Sequence, residues 1–144
     1  MIFVNTKKTA QFLLGLLTKL GRTANILTSE IPDYERDVII DDFRKDKFSA
    51  LISTNVLARG IDVPAVDIVI NYDVPVVSMH GYMEPDFANY LHRVGRTGRF
   101  GTDGMALTFY ANEVEENQMG KIEKEWETKI EEIKSFKAFQ DIFI

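Results

Sequence analysis

Residues 92–101 read His92-Arg93-Val94-Gly95-Arg96-Thr97-Gly98-Arg99-Phe100-Gly101, and this stretch governs the reading of the whole chain. Arginine recurs at every third position, so in a helical turn Arg93, Arg96 and Arg99 project to a similar side. Glycines at 95, 98 and 101 let the backbone turn and approach a ligand closely. Clustered guanidiniums offer planar, paired donors that match phosphate oxygens. An arginine finger can stabilise the charge that gathers on a transferred phosphoryl group. Any one of these arginines alone would read as part of a solvated basic loop facing an acidic helix. The ten-residue pattern favours a phosphate.

Upstream lies a second distinctive segment, Ser53-Thr54-Asn55-Val56-Leu57-Ala58-Arg59-Gly60-Ile61-Asp62-Val63-Pro64. Hydroxyls at 53 and 54 follow a short apolar run and can donate to a backbone phosphate. Asp62 can accept from a ribose hydroxyl, as acidic residues do in nucleotide-binding folds. The plainer alternatives are that a hydroxyl caps the next turn and that Asp62 caps or pairs with Arg59. For any one residue the two readings balance.

Around these segments, short apolar runs alternate with amphipathic stretches, the α/β pattern. Strands are expected at Ile2–Val4, Thr23–Leu27, Ala50–Ser53, Val66–Tyr72 and Met105–Tyr110. Their near-continuous apolar character suits a mostly parallel sheet covered on both faces. Helices are expected over residues 7–20 (stopped by Gly21), from Pro32 onward, over Phe87–Val94 and over residues 113–134. The second of these should bury Val38, Ile39 and Phe43. The last should bury Ile122, Trp126, Ile130 and Ile133, and its Glu face should be solvated. Residues 74–85, with Pro75, Gly81 and Pro85, read as an irregular connection. Loops after the C-terminal ends of parallel strands are where open α/β sheets bind ligands. The segments 54–64 and 92–101 both lie at or near such places.

The 144 residues suit one domain, 1–144. There is no cysteine, so disulfides and thiolate metal sites are excluded. No apolar run approaches the roughly 20 residues that span a bilayer, and no signal peptide is evident. The net charge of −5 argues against a general coat of positive charge for nucleic acid. Residues 113–134 alone carry eight Glu against four Lys, so any nucleic-acid contact would be local.

The two segments "STNVLARGIDVP" and "HRVGRTGRFG", separated by "VINYDVP" and preceded by "IFVNTKK", resemble motifs V, Va, VI and IV of the DEAD-box family. The similarity covers about residues 2–110. It implies a RecA-like three-layer sandwich, one of two RecA-like domains with ATP in the cleft between them and single-stranded RNA across both. By that resemblance Arg96 and Arg99 would contact the γ-phosphate, with Arg99 as the finger. Gly60 and Asp62 would line the ribose side. His92 and Arg93 would couple the site to the other domain. Thr54 would hold an RNA phosphate, with Asn5, Thr6 and Arg36 beside it.

Three stretches depart from the family pattern. Thr28-Ser29-Glu30 stands where a His-Gly-Asp-like triplet is usual. Asp33 replaces the Gln of a Gln-x-x-Arg element whose Arg36 is kept, and an acidic group there would repel phosphate. Thr102 follows Gly101 where a basic residue is common. These bear on the RNA side more than on the ATP side.

The stretch "HGYMEPDFANYLHR" sits in a connection longer than in a typical member. It resembles the subfamily that exports messenger RNA at the nuclear pore, in which an activator carrying inositol hexakisphosphate grips mainly the C-terminal domain. That implies a monomer of the cytoplasm and nucleus, placed at the cytoplasmic face of the pore. The Walker-type Gly-Lys-Thr/Ser loop, the Asp-Glu-Ala-Asp element and the Ser-Ala-Thr element do not occur here. The N-terminal ATP-binding domain, expected to hold the magnesium, is therefore expected to be absent, and the chain alone inactive. The main rival is a non-catalytic docking or RNA-binding module, which the acidic surface would suit. A DNA-helicase half is a distant third.

Overall fold

The computed structural model describes residues 1–55, 65–98 and 103–144. Five strands form one all-parallel sheet: β1 (Ile2–Phe3), β2 (Ala24–Leu27), β3 (Ala50–Ser53), β4 (Ile68–Asn71) and β7 (Met105–Thr108), in the order β2-β3-β1-β4-β7. Strand β1 is short but central, pairing Ile2 with Ile52 on one side and with Ile70 on the other. The ladder continues past its end, where the Val4 N–H donates to Ser53 at 3.0 Å and the Tyr72 N–H donates to Phe3 at 2.9 Å.

Side chains alternate across this sheet, as the period of two requires. Phe3, Leu27, Leu51 and Val69 pack under Ile40 of α2 (Asp33–Arg44). Val4 and Ile52 pack on the opposite face against Ala10 and Leu13 of α1 (Lys7–Lys19). These two apolar layers make the three-layer RecA-like sandwich expected from the sequence. A third cluster joins Val74, Tyr90 of α3 (Phe87–Val94), and Met119 and Ile122 of α4 (Glu113–Glu125).

Four expectations change. Residues 76–85 are not irregular: β5 (Val76–Met79) and β6 (Tyr82–Pro85) form an antiparallel hairpin. Its two-residue turn, His80-Gly81, has positive φ at both positions (52° and 82°), which matches the right-handed twist of the flanking strands. In α2 Ile40 is the buried residue, 2% exposed, with Ile39 and Phe43 packed beside it as expected, while Val38 is 59% exposed. Helix α4 ends at Glu125, not at 134. Glu127 takes a left-handed conformation, φ 46°. The Thr128 N–H then donates back to Glu123 at 3.0 Å and the Glu127 N–H to Lys124 at 3.4 Å, the Schellman pair that closes a helix end. Trp126, expected in the core, is 39% exposed at that terminus. The tail forms α5 (Phe136–Phe143), capped by Ser135.

Helices α1 and α2 end in the same way, with Gly21 (φ 71°) and Asp46 (φ 55°) in the left-handed position. Arg22 and Lys47 complete the longer bonds, to Leu17 and Asp42. The gaps between elements are thereby kept short, and the loops that follow β1, β3 and β4 gather at one edge of the sheet.

Candidate nucleotide and nucleic-acid site

At that edge the organising side chain is Arg93. It projects from the last turn of α3 and is only 1% exposed. One end of its guanidinium, Nη1, donates to the Asp73 carbonyl at 3.1 Å and to Asn71 Oδ1 at 3.4 Å. The other, Nη2, donates to Asn5 Oδ1 at 3.2 Å and to Asn55 Oδ1 at 2.5 Å. The guanidinium carbon also lies 5.3 Å from the centre of the Phe3 ring, within cation–π range. One arginine thus fastens the loops after β1, β3 and β4 to each other. Among the described residues its Nε–H is buried without a partner.

Burial pulls the Arg93 guanidinium down to about 10, against the opposing pull of Asp73 and Asp86. It therefore remains charged at neutral pH. Removing water from a cation is costly unless its donors are met. The side-chain and main-chain carbonyls of Asn5, Asn55, Asn71 and Asp73 meet those on both terminal nitrogens, leaving only the Nε–H. Asn71, itself fully buried, passes its amide on to Thr108 at 3.1 Å. Asn55, Asn71 and Asp73 are site residues that the sequence motifs alone do not single out. One signal was present: Asn71 is a polar residue inside the apolar run of β4, and a buried polar group needs a partner.

Of the three arginines expected on a common side, Arg93 is the one buried among the described residues. Arg93 turns inward, whereas His92 beside it is exposed. Arg96 lies past the helix end and is half-buried, with its carbonyl accepting from Val66 at 3.0 Å. Arg99, Gly60 and Asp62 lie outside the described residues.

On the side expected to meet RNA, Asn5 is committed: its amide donates to the Val74 carbonyl at 2.8 Å, its carbonyl accepts from Arg93, and its N–H donates to Asp73 Oδ2 at 2.8 Å. The Thr6 hydroxyl caps α1 by accepting from the Thr9 N–H at 3.1 Å. Thr54 is half-buried just beyond β3, and its N–H donates to Leu27 at 3.3 Å. The Arg36 guanidinium is ion-paired with Asp33. Glu30, in the altered triplet after β2, is likewise ion-paired with Lys7 of α1.

A cleft of about 380 Å³ opens between Asn5, Val74, Val76 and the start of α4. Asn112, Val114, Glu115 and Gln118 form its far wall.

Residues 1–101 match the family model described as the helicase conserved C-terminal domain. The "ATP-dependent RNA helicase DBP5" of Saccharomyces cerevisiae is 48% identical over 124 residues, 86% of this chain and 25% of that protein. The chain thus spans about a quarter of the length of the curated relatives it matches. Among solved structures, the C-terminal domain of the DEAD-box protein Dbp5 superposes with a TM-score of 0.89 at 42% identity, covering 98% of this chain and 78% of that one. S. cerevisiae Dbp5 bound to RNA and ADP BeF3 superposes at 0.76 with 48% identity, covering 85% and 31%. A variant of that protein bound to Nup159, a variant of Gle1, IP6 and ADP superposes at 0.86 with 38% identity, covering 98% and 36%. The chain belongs to the helicase C-terminal domain family, in its DEAD-box branch.

Proposed function

We propose that this chain is the C-terminal RecA-like half of an ATP-dependent RNA helicase that remodels RNA–protein complexes during messenger RNA export. What carries the reading is the gathering of three strand-end loops around Arg93, in a chain 42% identical to the C-terminal domain of Dbp5. An edge of this kind is where a parallel sheet offers backbone and side-chain groups to a ligand.

In this reading the chain completes an active site shared with an N-terminal domain. Arg96 and Arg99 present guanidiniums to the γ-phosphate of ATP, and Gly60 and Asp62 lie along the ribose. Bound ATP supplies the phosphoryl group whose transfer resets the cycle. Closure of the two domains on it bends single-stranded RNA held by Thr54 and its neighbours, a ligand-driven domain closure. Magnesium is assigned no residue of this chain. Partners by the same reading are an N-terminal domain, single-stranded RNA, and an export activator with inositol hexakisphosphate at the cytoplasmic face of the nuclear pore. The relatives solved with RNA, with ADP BeF3, and with Gle1 and IP6 support this.

A second reading, a docking module without catalysis, is favoured by one observation: the Arg36 guanidinium is taken up by Asp33. One experiment separates the two. Joined to the N-terminal half of its own protein, the chain should show RNA-stimulated ATP hydrolysis. Arg99→Ala should reduce it on the order of 10³-fold, as loss of an arginine finger can. No stimulated turnover, or turnover indifferent to the substitution, would establish the docking module instead.

A further inference from the structure

The β5–β6 hairpin has one edge occupied and one open. In a two-residue hairpin the pair flanking the turn is hydrogen-bonded, and bonded and non-bonded pairs then alternate. Met79–Tyr82 and Val77–Glu84 are therefore the bonded pairs, and Ser78–Met83 and Val76–Pro85 direct their main-chain groups outward. The contacts of β6 agree with this phase: the outward carbonyl of Met83 accepts from Gln118 Nε2 of α4 at 3.2 Å, and Pro85 has no N–H to direct. Lys121 pairs with Glu84 at 2.7 Å along the same edge. Among the described residues, no hydrogen bond reaches the outward groups of Val76 and Ser78 on β5.

Natural proteins blunt such an edge with charges, prolines or a covering element. Strand β5, Val76-Val77-Ser78-Met79, carries neither a charge nor a proline. The hairpin face next to it exposes Val77 (40%), Met79 (51%) and Tyr82 (73%). The edge also begins at the cleft, which Val76 lines together with Val114, Glu115 and Gln118; one Glu115 oxygen accepts from the Ala111 N–H at 2.7 Å. The first turn of α4 adds Glu113 and Glu116.

We infer that the free edge of β5 is a docking site for an extended segment of a protein partner that adds a third strand and sets a basic side chain in the cleft beside Glu115. Main-chain bonds to Val76 and Ser78 supply affinity, and alternate side chains supply specificity, as in β-strand addition elsewhere. Charge selects the occupant. A second copy of this chain would pair through a β5 with no basic residue to set beside Glu115, and RNA would meet the same three glutamates. A cationic, apolar peptide meets neither cost. The site needs neither ATP nor RNA, so it stands or falls independently of the helicase reading.

The test uses a blocked eight-residue peptide of alternating valine and lysine, titrated into the isotope-labelled chain. Binding should shift and protect the amide protons of Val76 and Ser78. Ser78→Pro removes an outward donor without touching a hairpin bond, and should weaken binding on the order of tenfold. Glu115→Gln should weaken it as well, and a valine–glutamate peptide should not bind. Four results would overturn the proposal: no shifts at millimolar peptide, equal binding by the Ser78→Pro chain, self-association that protects these two amides without peptide, or their protection by a single-stranded RNA.

Discussion

Arg93 Nη2 donates to Asn55 Oδ1 at 2.5 Å, joining α3 to the loop after β3 across 38 positions of sequence. The same guanidinium holds Asn5 and Asp73. Its loss would leave the fully buried Asn71 amide and the Asp73 carbonyl short of a donor, while the exposed Asn5 and Asn55 turn to water. Arg93→Ala should therefore lower unfolding stability by about 2–4 kcal/mol. Arg93→Lys should recover little, because one ammonium cannot reach acceptors at both ends of a planar fork. Chemical denaturation checks this: the midpoint should fall with an unchanged slope. A midpoint within error of wild type for either variant would show that the network contributes little.

Gly104 lies against the segment that follows α3. A Cβ there would fall 2.4 Å from Thr97 Cβ and 2.5 Å from Gly98 N, far inside contact distance. The obstacle is partly main chain, so a rotamer change cannot relieve it. Gly104→Ala should push Thr97 and Gly98 away, strain the Val66–Thr97 bridge, and cost about 1–3 kcal/mol. Amide shifts should concentrate at Val66, Thr97 and Gly98. Shifts spread evenly over the sheet would contradict the local clash.

How far the fold is legible in the sequence depends on where the deciding force acts. Strand β3 and helix α3 stand at the limits read from the sequence, Ala50–Ser53 and Phe87–Val94, because each has a continuous apolar or periodic pattern and a local stop. The hairpin is hidden because Pro75, Gly81 and Pro85 read as breakers. In fact Pro85 occupies an outward position that needs no N–H, and Gly81 supplies a positive φ. A two-residue X-Gly turn between Val76–Met79 and Tyr82–Pro85 is the available signal. The end of α4 has no such signal, since the left-handed residue is Glu127 rather than glycine; the return of Ile130 to the third core cluster accompanies the stop. The arginine spacing draws attention to the right segment but does not tell that Arg93 is buried. Only the surrounding carbonyls of three other loops, which no local pattern encodes, turn it inward.

Two helix glycines offer stabilisation. At Gly15 in α1 and Gly120 in α4, an added Cβ would meet nothing within 4 Å. Alanine there removes unfolded-state freedom without a clash, so Gly15→Ala and Gly120→Ala should each add about 0.5–1 kcal/mol. The sites lie in different helices, and their effects should add in the double variant. Thermal and chemical melts measure it. Destabilisation by either would mean that its helix packs against something in solution.

The ion pair between Asp33 and Arg36 sets a limit on the RNA side. The Arg36 side chain is 19% exposed and that of Asp33 is 89% exposed, so the carboxylate stands on the solvent side of the cation, where a phosphate would have to approach. Asp33→Gln removes that charge, keeps the helix start, and leaves Arg36 able to donate to a phosphate. In the chain joined to its N-terminal half, single-stranded RNA should bind more tightly at low salt. The dependence of log K on log salt should steepen by about one phosphate contact, near 0.7 for a single strand. The stability of the folded domain should hardly change, because an exposed i,i+3 pair contributes little. Tighter binding with an unchanged salt slope would place the gain elsewhere than at Arg36. No change in either would mean that RNA does not approach α2 at all, and would favour the docking module over the RNA-remodelling half.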